Sequence, residues 1–194
     1  KVSLLGKRGK ARAYSRLGAI FDDQGDYKQA LEYYIKGMVI YKKIDEKIGL
    51  AASYNNIGIT YQNQSDYATA LINYQNGLSI YKELDDKKGM ASSYGNIGNI
   101  YANYGDYPHA LEYYLKGLKL DEETMPDGRQ AGNEANMANS YNNIGVVYAN
   151  QKDYSMALEY YQKALKLYST IGDIGGMASA YNNKIPEPYR IFAG

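Results

Sequence analysis

Asparagine is the residue whose placement could do chemistry in this chain. Asn56, Asn96 and Asn143 each stand directly before Ile-Gly, Asn183 repeats the position further on, and Arg16 holds it near the start. Seven residues later come Asn63, Asn103 and Asn150, with Asp23 in the earliest copy. Seven residues is about two helical turns, so on a helix both sets fall on one face. Asn55, Asn142 and Asn182 add a flanking row, and Asn99 lies one turn after Asn96. A carboxamide carries both a donor and an acceptor. It therefore matches the paired N–H and C=O groups of an extended polypeptide and grips a backbone without demanding particular side chains. Six such rungs, at about 1 kcal/mol each, less several kcal/mol for ordering the peptide, give millimolar binding. Side-chain pockets or charges must supply the rest.

Other chemistry finds little support. The single His109 follows Pro108 and has neither a recognisable nucleophile nor an orienting partner, so it reads as a solvated surface residue. Asp121-Glu122-Glu123 lacks metal-ligand spacing and reads as a solvated helix end. There is no glycine-rich phosphate loop and no cysteine, which removes a disulfide framework, a thiolate metal site and a Cys nucleophile. Lys and Arg number 22 against 21 Asp and Glu, a net charge of +1, so the clustered positive charge of a nucleic-acid binder is missing. No apolar run approaches a membrane span. The expected chain is therefore not an enzyme, takes no metal or cofactor, and works in the cytoplasm.

The elements that must carry these residues repeat. Residues 53–74 and 140–161 agree at 14 of 22 positions, and the same frame recurs at 13–34 and 93–114. The anchoring Tyr14, Tyr54, Tyr94, Tyr141 and Tyr181 are spaced by 40, 40, 47 and 40 residues. Such a period means a stacked solenoid of helix pairs. Tyr54, Ile57, Gly58 and Tyr61 mark one face of a first helix. Asp26, Asp66, Asp106 and Asp153 sit where the N-cap of a second helix belongs, with Asp26 and Gln29 at capping-box spacing. In the second helices Ala30/Tyr34/Gly37, Ala70/Tyr74/Gly77, Ala110/Tyr114/Gly117 and Ala157/Tyr161/Ala164 pair small residues with a large ring. Small residues let paired helices approach, and the ring fills the gap beside them.

Tyr-x2-Ile-Gly-x2-Tyr followed by Asp-Tyr-x2-Ala-Leu-x2-Tyr-x2-Gly/Ala resembles the tetratricopeptide repeat. The resemblance covers about residues 13 to 183, in a 40-residue variant similar to the arrays of kinesin light chains, spindle-orientation adaptors and bacterial signalling proteins. Tyr14, Tyr54, Tyr94 and Tyr141 stand where that family usually has Trp. The resemblance implies an all-α fold, tandem helix-turn-helix units in a right-handed superhelix whose first helices line a concave groove. It places a ladder of Arg16, Asn55, Asn56, Asn63, Asn96, Asn99, Asn103, Asn142, Asn143 and Asn150 along that groove. Asn before Ile-Gly also belongs to the general pattern of the family, where it can brace neighbouring helices. Family members that clamp a C-terminal carboxylate use Lys and Arg where this chain has Ser15, Asn55, Gly95 and Asn142, so that subtype is rejected.

Repeats are expected over about 10–49, 50–89, 90–136 and 137–176, with a partial fifth at 177–183. Residues 1–9 read as the tail of a preceding repeat. Residues 184–194, with Pro186 and Pro188, read as a tail without repeat character, either a chain end or a groove-docking segment. The seven extra residues of the 47-residue interval include Met125-Pro126-Asp127-Gly128, a turn, and predict a first helix from near Gly128 that is about two turns longer than its equivalents. The expected function is a protein-interaction scaffold holding an extended peptide or helix of unknown identity. Two alternatives stand beside it: a regulatory module of a larger signalling protein, and a segment that self-associates through exposed array ends.

Overall fold

The computed structural model describes residues 3–123 and 131–183. Among them are nine α-helices and no strand: α1 (Leu4–Asp23), α2 (Tyr27–Lys43), α3 (Lys47–Asn63), α4 (Tyr67–Glu83), α5 (Lys87–Asn103), α6 (Tyr107–Glu123), α7 (Ala131–Asn150), α8 (Tyr154–Ile171) and α9 (Ile174–Asn182). They form two compact units, the first ending at Gly89 and the second starting at Met90. In the first unit α1 packs on α2, α2 on α3 and α3 on α4, and α1 also touches α3. In the second, α6 packs on α7, α7 on α8 and α8 on α9, and α7 also touches α9. Within each unit, first helices of successive pairs therefore lie side by side.

Local chemistry sets the helix ends. Asp26, Asp66, Asp153 and Asp173 each accept a hydrogen bond from the backbone N–H three residues on, satisfying a group that the helix cannot. Gln29 donates from Nε2 to Asp26 Oδ2 at 3.1 Å, side chain to side chain, where a capping box would reach the cap's backbone. Each described turn passes through one residue in the left-handed region, with φ between 51° and 75°: Gly25, Asp45, Ser65, Asp85, Gly105, Lys152 and Gly172. Only glycine adopts that conformation without strain. Ser65→Gly is accordingly expected to raise stability by roughly 0.5–1 kcal/mol, read as a higher urea midpoint with an unchanged slope.

The core is built from one repeated contact. Tyr34, Tyr74, Tyr114 and Tyr161 are at most 5% exposed. Each ring packs against Gly18, Gly58, Gly98 or Gly145 of its partner helix, where a Cβ would come within 2.6 Å of a ring carbon. Ala30, Ala70, Ala110 and Ala157, one turn earlier, are fully buried. On the outer surface Lys36, Lys116 and Lys163 pair with Glu32, Glu112 and Glu159 at 2.5–2.6 Å. The same ammonium groups lie over Tyr33, Tyr113 and Tyr160. Being exposed, these pairs contribute little to stability.

The structure differs from the expectation at the first residues. Residues 4–9, read as the end of an earlier helix, instead open α1, with Ser3 as its cap, accepting from Gly6 N–H. The expected helix start near Gly128 and the tail 184–194 lie outside the described residues. What is described of α7 is 20 residues, against 17 in α3 and α5.

Candidate functional site

In the second unit α5 and α7 bring Asn96, Asn99 and Asn143 together around a polar niche of about 300 Å³. Asn136 and Asn139, from the start of α7, join them, and Asp121 from the last turn of α6 lines the same space. The niche is held open by a hydrogen-bonded frame. Tyr114 OH donates to Asn99 Oδ1 at 2.7 Å, and Asn143 Nδ2 donates to the same oxygen at 3.1 Å. Tyr168 OH donates to Asn139 Oδ1 at 2.7 Å. Burial pushes the Tyr114 hydroxyl well above the usual phenol range and that of Tyr168 up to about 12, with Asp173 adding to the latter, so both remain donors at neutral pH. Asn142 accepts from Asn183 Nδ2 at 2.8 Å, tying α7 to α9. Asn103 and Asn150, at the far ends of α5 and α7, are exposed.

The first unit places its members differently. Asn56 is partly buried and shares a niche of about 320 Å³ with Arg12, Ser15, Arg16 and Tyr41. Asn63 donates from Nδ2 to Asp22 Oδ2 at 3.0 Å, linking α3 to α1. Asn55 is only 8% exposed. Its Oδ1 faces Gly77 of α4, in the seam of the helix pair, leaving little of it for a ligand. Bracing and display therefore coexist in the amide rows. A brace occupies one of an amide's donor or acceptor sites and leaves the others.

One expectation is corrected outright. Asp121 was expected in a solvated helix end, but it is 2% exposed, whereas Glu122 and Glu123 are exposed. The sequence did carry a signal for it. Asp121 occupies the repeat position of Tyr41, Tyr81 and Tyr168, once the seven inserted residues are allowed for. Asn136 and Asn139 were missed because they fall outside the Asn-Asn-Ile-Gly motif. His109 is exposed as expected, yet engaged: Nδ1 lies 2.7 Å from Asp106 Oδ2, and its ring stacks on Tyr101 at 5.2 Å. Leu4, Leu5, Leu17 and Ile20 of α1 are exposed. No described helix is long and apolar enough to cross a membrane.

Comparison with known proteins bears on this arrangement. Residues 11–44, 49–123 and 138–170 each match a model of the family described as tetratricopeptide repeat. No curated protein matches the chain in sequence. Among solved structures, BtubC (BKLC) from P. vanneervenii superposes with a TM-score of 0.69 at 20% identity, over 84% of this chain and 65% of that one. Aspartyl phosphate phosphatase F from Bacillus subtilis gives 0.80 at 16% identity, over 90% of this chain and 44% of that one. A Rap protein complexed with Competence and Sporulation Factor gives 0.79 at 17% identity, over 89% of this chain and 46% of that one. At these identities the likeness is one of fold. The chain spans less than two thirds of the length of each of these structures.

Proposed function

In a chain that belongs to the tetratricopeptide repeat family, a scaffold for protein–protein contact, we propose that the first-helix face grips an extended polypeptide through its asparagine amides. The observation that carries this reading is the amide row on α5 and α7, from Asn96, Asn99 and Asn143 to the exposed Asn103 and Asn150. Asn56 and Arg16 contribute the corresponding surface on α3 and α1. The Rap neighbour complexed with Competence and Sporulation Factor supports the reading by analogy of fold. The role proposed is capture and positioning of a partner rather than catalysis.

A random peptide library displayed against the whole chain tests it. The unaltered protein is expected to enrich a set of extended peptides. Asn103→Ala with Asn150→Ala removes two exposed rungs and is expected to weaken those peptides roughly tenfold or more. No enrichment, or equal binding by the double variant, would overturn the reading.

A further inference from the structure

Successive helix pairs meet through a second repeated contact, distinct from the core tyrosines. Tyr41, Tyr81 and Tyr168, in the last turns of α2, α4 and α8, lie against Gly49, Gly89 and Gly176 in the first helices that follow. A Cβ on those glycines would fall 2.2–2.5 Å from a ring carbon. At the junction of α6 with α7, Asp121 takes the place of the tyrosine and Asn136 that of the glycine. Gly9 of α1 holds the same repeat position, 40 residues before Gly49. Among the described residues nothing beyond its own stretch of helix lies within 4 Å of where its Cβ would stand. The surrounding face is open too. Leu17 and Ile20 are 37% and 51% exposed, whereas their counterparts Ile57 and Thr60 on α3, and Ile144 and Val147 on α7, are at most 5%. Ile57 is covered by Ala30 and Tyr34 of α2, and Ile144 and Val147 by Ala110 and Tyr114 of α6. On α1, Gly9, Ala13, Leu17 and Ile20 instead line a groove of about 540 Å³.

Charge sets this groove apart from the covered faces. Arg12 and Arg16 border it, where α3 has Ala52 and Asn56 and α7 has Asn139 and Asn143. Like charges one turn apart oppose helix formation. Arg8, the turn before, pairs with Glu46 at 3.3 Å, but Arg12 and Arg16 make no hydrogen bond or ion pair among the described residues. At the junction of α2 with α3, Tyr41 shares a niche with Ala52 and Asn56. By that equivalence a ring seated on Gly9 falls beside both guanidinium groups.

We propose that this face of α1 docks an amphipathic helix of a partner polypeptide, which seats an aromatic ring on Gly9 and brings carboxylates to Arg12 and Arg16. The chain itself shows what such a face receives: a second helix with a ring in its last turn. A guanidinium is attracted to the face of that ring, and its fork takes a carboxylate in a charge-assisted pair. Leu17 and Ile20 supply the apolar bed along which a helix lies. A second copy has no such ring to offer, because Tyr41, Tyr81 and Tyr168 are seated within their own chain. The docking face stands apart from the asparagine rows, so it does not rest on the groove reading above.

Two peptides taken from this sequence serve as probes, fluorescently labelled and followed by anisotropy as the full chain is added. Residues 66–86 end in the Tyr81 turn and carry four carboxylates against one lysine; residues 26–46 end in the Tyr41 turn and carry four against four. The acidic peptide is expected to bind saturably, and the balanced one roughly fivefold more weakly. Tyr81→Ala in the peptide is expected to cost roughly tenfold or more. Gly9→Leu in the protein fills the seat from an open helical position, so it is expected to keep the circular dichroism and lose binding by a similar factor. Ile20→Lys, also exposed, is expected to do the same from the far end of the groove. Arg12→Gln with Arg16→Gln is expected to bring the acidic peptide down to the level of the balanced one. Absence of saturation, equal binding of the two peptides, or indifference to Tyr81→Ala or to both Gly9→Leu and Ile20→Lys would overturn the proposal. Sedimentation showing that the chain pairs with itself, and that Gly9→Leu undoes the pair, would make a second copy the occupant and overturn it as well.

Discussion

Between pH 10 and pH 12 the protein is expected to lose its helical circular dichroism, its buried tyrosines ionising as it does so. Burial pushes Tyr34, Tyr81, Tyr161 and Tyr168 up to about 12 from the ordinary phenol value of 10. It pushes Tyr74 and Tyr114 further still. Nearby carboxylates, Asp22 beside Tyr34 and Tyr74 and Asp86 beside Tyr81, act in the same direction. An unfolded chain releases these protons from pH 10 upward, while the native chain retains them. The stabilisation is therefore whole below pH 10 and is lost as pH rises toward 12. Each ring loses about 1.4 kcal/mol per pH unit in that window. Every helix pair carries at least one such ring, and a domain's whole stability is only about 5–15 kcal/mol. Phenolate absorbance and circular dichroism, recorded together against pH, check the claim. Ordinary titration at pH 10 with the helices intact would show that the rings are open to water.

Tyr114→Ala is expected to lower the unfolding free energy by about 3–5 kcal/mol, and Tyr114→Phe by about 1 kcal/mol. The ring is 2% exposed and lies over Gly98, which has no side chain to move into the void. Its hydroxyl is one of two donors to Asn99 Oδ1. Phe keeps the packing and removes one donor, so it loosens the niche without dismantling the helix pair. Urea unfolding gives the magnitudes. Hydrogen exchange in α5, α6 and α7 shows where they fall, because a repeat array distributes a local loss to its neighbours. Equal losses from Phe and Ala would mean that the hydroxyl, rather than the ring, holds this pair together.

The helix pairs were legible because their causes are local. An aspartate three residues ahead of an orphan N–H, and a small residue one turn from a large ring, are visible as spacing alone. The amide rows were legible as rows, but their uses were not. Asn55 and Asn56 are adjacent in sequence, yet one residue is more than a quarter turn of helix, enough to put Asn55 in the seam with α4 and Asn56 in a niche. Asn63 and Asn143 turned out to brace neighbouring helices, a use that depends on Asp22 and Asn99 lying across from them. Asp121 was illegible for a different reason. Its neighbours Glu122 and Glu123 are surface residues, and the acidic run masked its place in the repeat frame, 40 residues after Tyr81 and 80 after Tyr41.

The tyrosine-glycine junction constrains the order in which mutations can accumulate. With a ring at position 121, a side chain at position 136 meets the collision that Gly49, Gly89 and Gly176 avoid. A lineage passing from the common junction to the polar one must lose the ring first and gain the asparagine second. The reverse journey must shed the asparagine before the ring returns. Each single step leaves an under-filled junction rather than a blocked one only if that order is kept. The polar junction is thus sheltered from one-step reversion: once Asn136 is in place, the tyrosine junction returns only through two substitutions taken in a fixed order.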